Sequence, residues 1–140
     1  MPKEIKGNAR RTPPQPNTDH ADIDEWFHHL VPDLVPIVRR VDEAIRSAIP
    51  ELNYAVKYKR AFYGRQDLGW VIELAPYAVS VNVLFLAGAD FDSPPPLGVT
   101  GRIRYVKITT VTEVSRPEVT EWLEQAGRIR GWRWPSADRL

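Results

Sequence analysis

Residues 53–88, NYAVKYKRAFYGRQDLGWVIELAPYAVSVNVLFLAG, decide the fold. Within them YAVKYK, GWVIELA and AVSVNVLFL are rich in β-branched and aromatic residues, and Gly64, Gly69 and Pro76 fall at or near their junctions. That pattern predicts consecutive antiparallel strands. Side chains on a strand alternate faces, so Lys57 and Lys59 are expected on one face and Tyr54, Val56 and Tyr58 on the other. RIRYVKITTV, residues 102–111, reads as a further strand. GADFDSPPPLGVTG before it reads as a long loop, since Pro94, Pro95 and Pro96 cannot donate to a sheet ladder.

Helical spacing governs the flanks. In TDHADIDEWFHHLVP, residues 18–32, Ile23, Trp26, Phe27, Leu30 and Val31 make one apolar face, with Thr18 or Asp19 as N-cap and Pro32 as the stop. In DLVPIVRRVDEAIRSAIP, residues 33–50, Leu34, Val38, Val41, Ile45 and Ala48 step by four and three, with Asp33 as N-cap and Pro50 as terminator. SRPEVTEWLEQAGRIR, residues 115–130, has the Ser115–Glu118 spacing of a capping box and Pro117 at its start. Helices, a strand meander, then a helix predict a two-layer α+β fold: an antiparallel sheet of four to six strands packed by two or three helices. The expected core is Trp26, Leu34, Val38, Ile45, Val71, Val83, Phe85, Val106, Trp122 and Leu123.

With 140 residues the chain reads as one domain. Residues 1–18 read as a flexible, Pro-rich arm, basic at Lys3, Lys6, Arg10 and Arg11; residues 19–134 form the domain and residues 135–140 a tail. Trp132 and Trp134 are expected to cover apolar surface. The net charge of +1, from 19 basic and 18 acidic residues, argues against wholesale binding to nucleic acid or a membrane. The absence of cysteine excludes disulfides, zinc thiolates and thiol catalysis. No apolar run is long enough to span a membrane and no signal sequence is visible, so the expected location is the cytoplasm.

VDEAIRSAIPELNYAVKYKRAFYG (residues 41–64), VSVNVLFLAGADFD (79–92) and GVTGRIRYVKITTVTEV (98–114) together resemble the YdhG-like family, a domain of unknown function (DUF 1801). The resemblance spans residues 41–129. Its most specific part is the Gly-x-x-Gly-Arg-x-Arg-x-Val-Lys element, residues 98–107. Many members carry Trp where Tyr58 stands and Pro where Ala61 stands, and the loop DFDSPPPLGVTG differs from their usual form. The resemblance implies the same α+β fold. It also implies a frataxin-like iron chaperone as one function, since one branch of the family is described so.

Three constellations bear on function. Lys57 and Lys59, with Arg102, Arg104 and Lys107, are candidate cations of a pocket for a small anion, with Tyr63 or Tyr105 at its wall. Gly98 and Gly101 fit either a backbone brought close to an anion or a tight turn. The wet side of a half-buried sheet has this alternation too. Second, Asp24 with His28 and Glu25 with His29 are four apart on a helix and are candidate iron ligands, with Asp19, His20 and Asp22 just before them; no other cofactor is implied. Third, catalytic motifs are missing: the only histidines are His20, His28 and His29, and no Gly-x-Ser-x-Gly elbow or phosphate loop occurs. Glu73, Asp90 and Lys59 are the residues that could act as acid or base. The leading expectation is a non-enzymatic binding protein for a small anion, and the alternative is iron binding.

Overall fold

A computed structural model describes residues 11–135. Five strands, β1 (Asn53–Lys57), β2 (Arg60–Arg65), β3 (Gly69–Pro76), β4 (Val81–Phe85) and β5 (Arg104–Ile108), form one antiparallel meander in the order β1-β2-β3-β4-β5. Among the described residues three helices accompany it: α1 (Ala21–Phe27), α2 (Val35–Ala48) and α3 (Pro117–Ala126). The fold is therefore the expected α+β arrangement.

Strand register sorts the side chains into two faces. Tyr54, Tyr63, Ile72 and Phe85 lie opposite one another in turn, and so do Val56, Ala61, Leu74, Val83 and Val106. These residues face the helices and join Trp26, Leu34, Val38, Ile45, Trp122 and Leu123 in the main core, which holds every expected core residue. The other face carries the row Ala55, Phe62, Glu73, Leu84 and Tyr105. A second, smaller core forms there from Ala55, Phe62, Trp70, Leu86 and Trp134.

The stretch expected as one strand through Lys59 is a hairpin. Tyr58 and Lys59 form its two-residue turn at φ +58° and +62°, so Lys59 belongs to neither face of the sheet. Positive φ at both centres matches the twist of the flanking strands, but it favours Asn-Gly and disfavours these residues. Tertiary contacts hold the turn: Trp26 Nε1 donates to Lys59 O at 3.1 Å, and the Tyr58 hydroxyl donates to Thr12 O at 2.8 Å.

Helix ends also differ from expectation. A 3₁₀ turn at Pro32–Leu34 precedes α2, and neither Leu34 nor Asp33 caps it through a side chain. Ser115 closes another 3₁₀ turn, Thr112–Ser115, so the capping box does not form and Arg116 precedes α3. Instead Glu113 takes the Thr109 N–H at 2.6 Å. Asp19 does accept from the first helical N–H, that of Ala21, at 2.7 Å.

Chain ends cover the outer face. Residues 11–17, expected to be part of a loose arm, lie along it: Asn17 pairs with Tyr54 on the free edge of β1, and Trp70 Nε1 donates to Pro14 O at 3.0 Å. Lys3, Lys6 and Arg10 lie outside the described residues. From the other end Trp132 pairs with Trp70 through two 2.8 Å backbone bonds, and the Trp134 ring packs 4.5 Å from that of Trp70. No helix among the described residues is long and apolar enough to cross a membrane.

Candidate functional site

The two covers meet where the Arg11 guanidinium lies over the Trp132 ring. Beside that contact, on the outer face of the sheet, lies a groove of about 660 Å³. Its lining mixes charge, from Arg11, Arg60, Arg102 and Glu73, with apolar surface from Leu84, Leu86, Ile103 and Trp132, and Gly131 completes it. Gly131 has to be glycine, because a Cβ there would run into the Trp70 carbonyl.

Glu73 anchors the charged part of the lining. It stands mid-strand on β3 and is 1% exposed. Burial of a carboxylate at that depth requires partners. Arg60, its diagonal neighbour on β2, donates to Oε2 at 2.6 Å, and Arg11 donates to the same oxygen at 3.2 Å. The Arg11 guanidinium also lies over three rings, 4.7 Å from the centre of Tyr58, 5.4 Å from Trp132 and 5.9 Å from Phe62. Its Nε is buried and has no hydrogen-bond partner among the described residues. Arg102 enters from the loop before β5. It is held by Asp90 at 2.9 Å and by the Arg130 carbonyl at 2.8 Å.

Of the residues expected to form an anion pocket, Arg102 alone lines this groove. Lys57 and Tyr105 share cross-strand rows with the groove residues Arg60 and Glu73–Leu84, but they and Lys107 do not line the groove. Lys57 turns to the N-terminal segment, where Nζ donates to Thr12 Oγ1 at 2.7 Å. Arg104 stands opposite Phe85, on the helix-facing row, and Nη1 donates to Ile103 O at 2.8 Å and Gly101 O at 3.1 Å. Gly98 and Gly101, at φ +101° and +61°, shape that turn and are absent from the groove wall. Tyr63 is fully buried under the helices and donates to Asp42 Oδ1 at 2.7 Å. Burial, then the Asp42 carboxylate beside it, push the Tyr63 hydroxyl well above its ordinary value.

The histidines flanking α1 and the nearby acids make separate small contacts. His20 Nδ1 lies 3.1 Å from Asp24, and its Nε2 lies 2.9 Å from Asp42 on α2. His29 meets Glu25 at 3.3 Å on the solvent side, and His28 is exposed. Among the described residues no group of three or more His, Asp or Glu side chains is placed to hold a metal ion.

Arg11, Arg60, Glu73 and Trp132 were not expected at the site. One signal was available: Arg60 and Glu73 become neighbours as soon as Tyr58-Lys59 is recognised as a turn. Arg11 and Trp132 gave none, because neither belongs to a periodic segment. No protein-family model, curated protein or solved structure matches the chain.

Proposed function

We propose that the protein is a cytoplasmic, non-enzymatic small-ligand-binding protein of the YdhG-like family, and that the outer-face groove takes a small anion. The observation that carries the reading is the convergence of Arg11, Arg60 and Arg102 on one concavity, with a buried Arg11 N–H left without an acceptor among the described residues. Guanidinium groups offer several donors in a fixed plane, which suits carboxylate and phosphate. A groove of about 660 Å³ falls within the range that holds metabolite-sized molecules.

A thermal-shift screen of carboxylated and phosphorylated metabolites tests this. A ligand at 100 times its dissociation constant adds about 2.7 kcal/mol of stability. Arg102→Gln is expected to remove the gain while the free variant stays folded, because Arg102 is half exposed and bonded only at the rim. An absence of any shift, or a shift that survives Arg102→Gln, refutes the proposal.

A further inference from the structure

The geometry points to a particular class of ligand for this groove: an amphipathic monocarboxylic acid, with one carboxylate on the arginines and an alkyl or aryl body on the leucines. The inference rests on the anion-binding reading above and deepens it.

Charge sets the head group. Three guanidiniums line the groove, but Glu73 lines it too and Asp90 is paired with Arg102. Three positive charges against two negative leave a single uncompensated one. A monoanion neutralises it, whereas a phosphate dianion brings an excess negative charge next to the buried Glu73 carboxylate. Donor geometry agrees. Arg60 and Arg11 both commit N–H groups to Glu73 Oε2, and Arg102 commits others to Asp90 and the Arg130 carbonyl. The few N–H groups that remain suit the two oxygens of one carboxylate better than the three of a phosphate.

The apolar part of the lining sets the body. Leu84 and Leu86 lie on the sheet floor, Trp132 closes one side, and Ile103 keeps 38% of its surface in contact with solvent at the mouth. Such a surface gains from being covered by apolar groups and offers a fully polar ligand nothing. A short inorganic or sugar-like anion leaves it wet.

Calorimetric titration of the full chain with straight-chain acids, butanoate to octanoate, tests the assignment, with 1-octanol and inorganic phosphate as controls. Each added methylene is expected to tighten binding about fourfold until the groove fills, the equivalent of ~0.8 kcal/mol per buried CH₂. Octanoate should bind at least tenfold tighter than 1-octanol, and inorganic phosphate should not compete. Two variants separate the two contributions. Arg102→Gln should weaken every acid by the same factor and keep the fourfold step. Leu84→Asn, at a half-buried position, should flatten the step. Phosphate binding as tightly as octanoate, with no dependence on chain length, overturns the amphipathic assignment while the anion reading stands. Octanol equalling octanoate overturns the carboxylate head. Binding of no anion at all brings down both.

Discussion

Replacing Tyr63 by Phe tests whether this tyrosine is part of the core or part of a ligand site. Its hydroxyl, on a fully buried side chain, donates to Asp42 Oδ1 at 2.7 Å. The substitution removes one hydrogen bond to a charged acceptor and leaves the ring in place. Asp42 keeps His20 at 2.9 Å and Arg46 at 3.6 Å, so its carboxylate is not orphaned. The loss should therefore sit in the range for a single charge-assisted bond, about 2 kcal/mol, without the larger penalty of a stranded buried charge. At this chain length that corresponds to a fall of about 8 °C in Tm. Alkaline titration provides a second readout. Tyr63 is held neutral in the folded state above its ordinary value of 10.0, so the unfolded chain releases its proton first. The unfolded state then binds fewer protons than the folded state, and stability falls as pH rises beyond about 10. Absorbance at 295 nm should show Tyr58 ionising early, since hydrogen bonding to Thr12 lowers it, and Tyr63 ionising only as the fold is lost. Tyr63→Phe should blunt that alkaline loss. A variant within 0.5 kcal/mol of wild type, or a Tyr63 that titrates near its ordinary value in the folded protein, refutes the buried-pair account.

Lys59→Gly should raise the unfolding free energy by about 0.5 kcal/mol, read as a higher urea midpoint, because glycine relieves the positive φ and Lys59 contributes only its backbone carbonyl to Trp26; a loss of stability would contradict the turn geometry. Phe85→Ala, at a fully buried position, should cost about 3–5 kcal/mol by equilibrium unfolding. Gly131→Ala should push the C-terminal segment off Trp70, seen as a red shift of tryptophan emission with far-UV dichroism preserved. The N–H of Thr109, then that of Thr110, hold the Glu113 carboxyl below its ordinary value of 4.5. Its contribution is present above that pH and lost as pH falls through the lowered value, so Glu113→Gln should flatten the acid side of the stability profile.

Periodicity made the core legible and left the site hidden. Val83 and Phe85 on β4 alternate as a half-buried strand should, and Val38 and Ile45 recur as a helix should, so both pointed inward before any coordinates. The first hairpin escaped because Tyr58-Lys59 carries none of the turn residues that mark positive φ; Trp26 and Thr12, distant in sequence, impose that conformation. Missing the turn put Lys59 on a strand and split Arg60 from Glu73. Strand parity does separate Arg104 from Tyr105, but it does not say which of the two rows meets the helices. The sequence does not reveal that Glu73 is buried, because what buries it, Arg11 and the C-terminal segment, comes from stretches with no period of their own.

The groove exists because the outer face of the sheet is too apolar to leave bare and is covered by segments too narrow to close it. Phe62, Trp70 and Leu86 are all buried there without a second helical layer. Two extended chain ends provide the cover, each fixed at a few points: residues 11–17 through Asn17 and Pro14, the C-terminal segment through the Trp132 pairing and the Trp134 ring. An extended segment shields one row of side chains, so a gap remains beside the Arg11–Trp132 contact. The gap lies over Glu73 and Leu84, where a buried charge and an apolar residue are direct cross-strand neighbours. Both characters of the groove follow from that pair, and the chain ends supply the rest: Arg11 from one and Trp132 from the other. Peripheral segments open at lower free energy than the central strands beneath them. A ligand seated against Arg11 and Trp132 would therefore stabilise the covers most, and its protection should be greatest in backbone amides at the two ends of the domain.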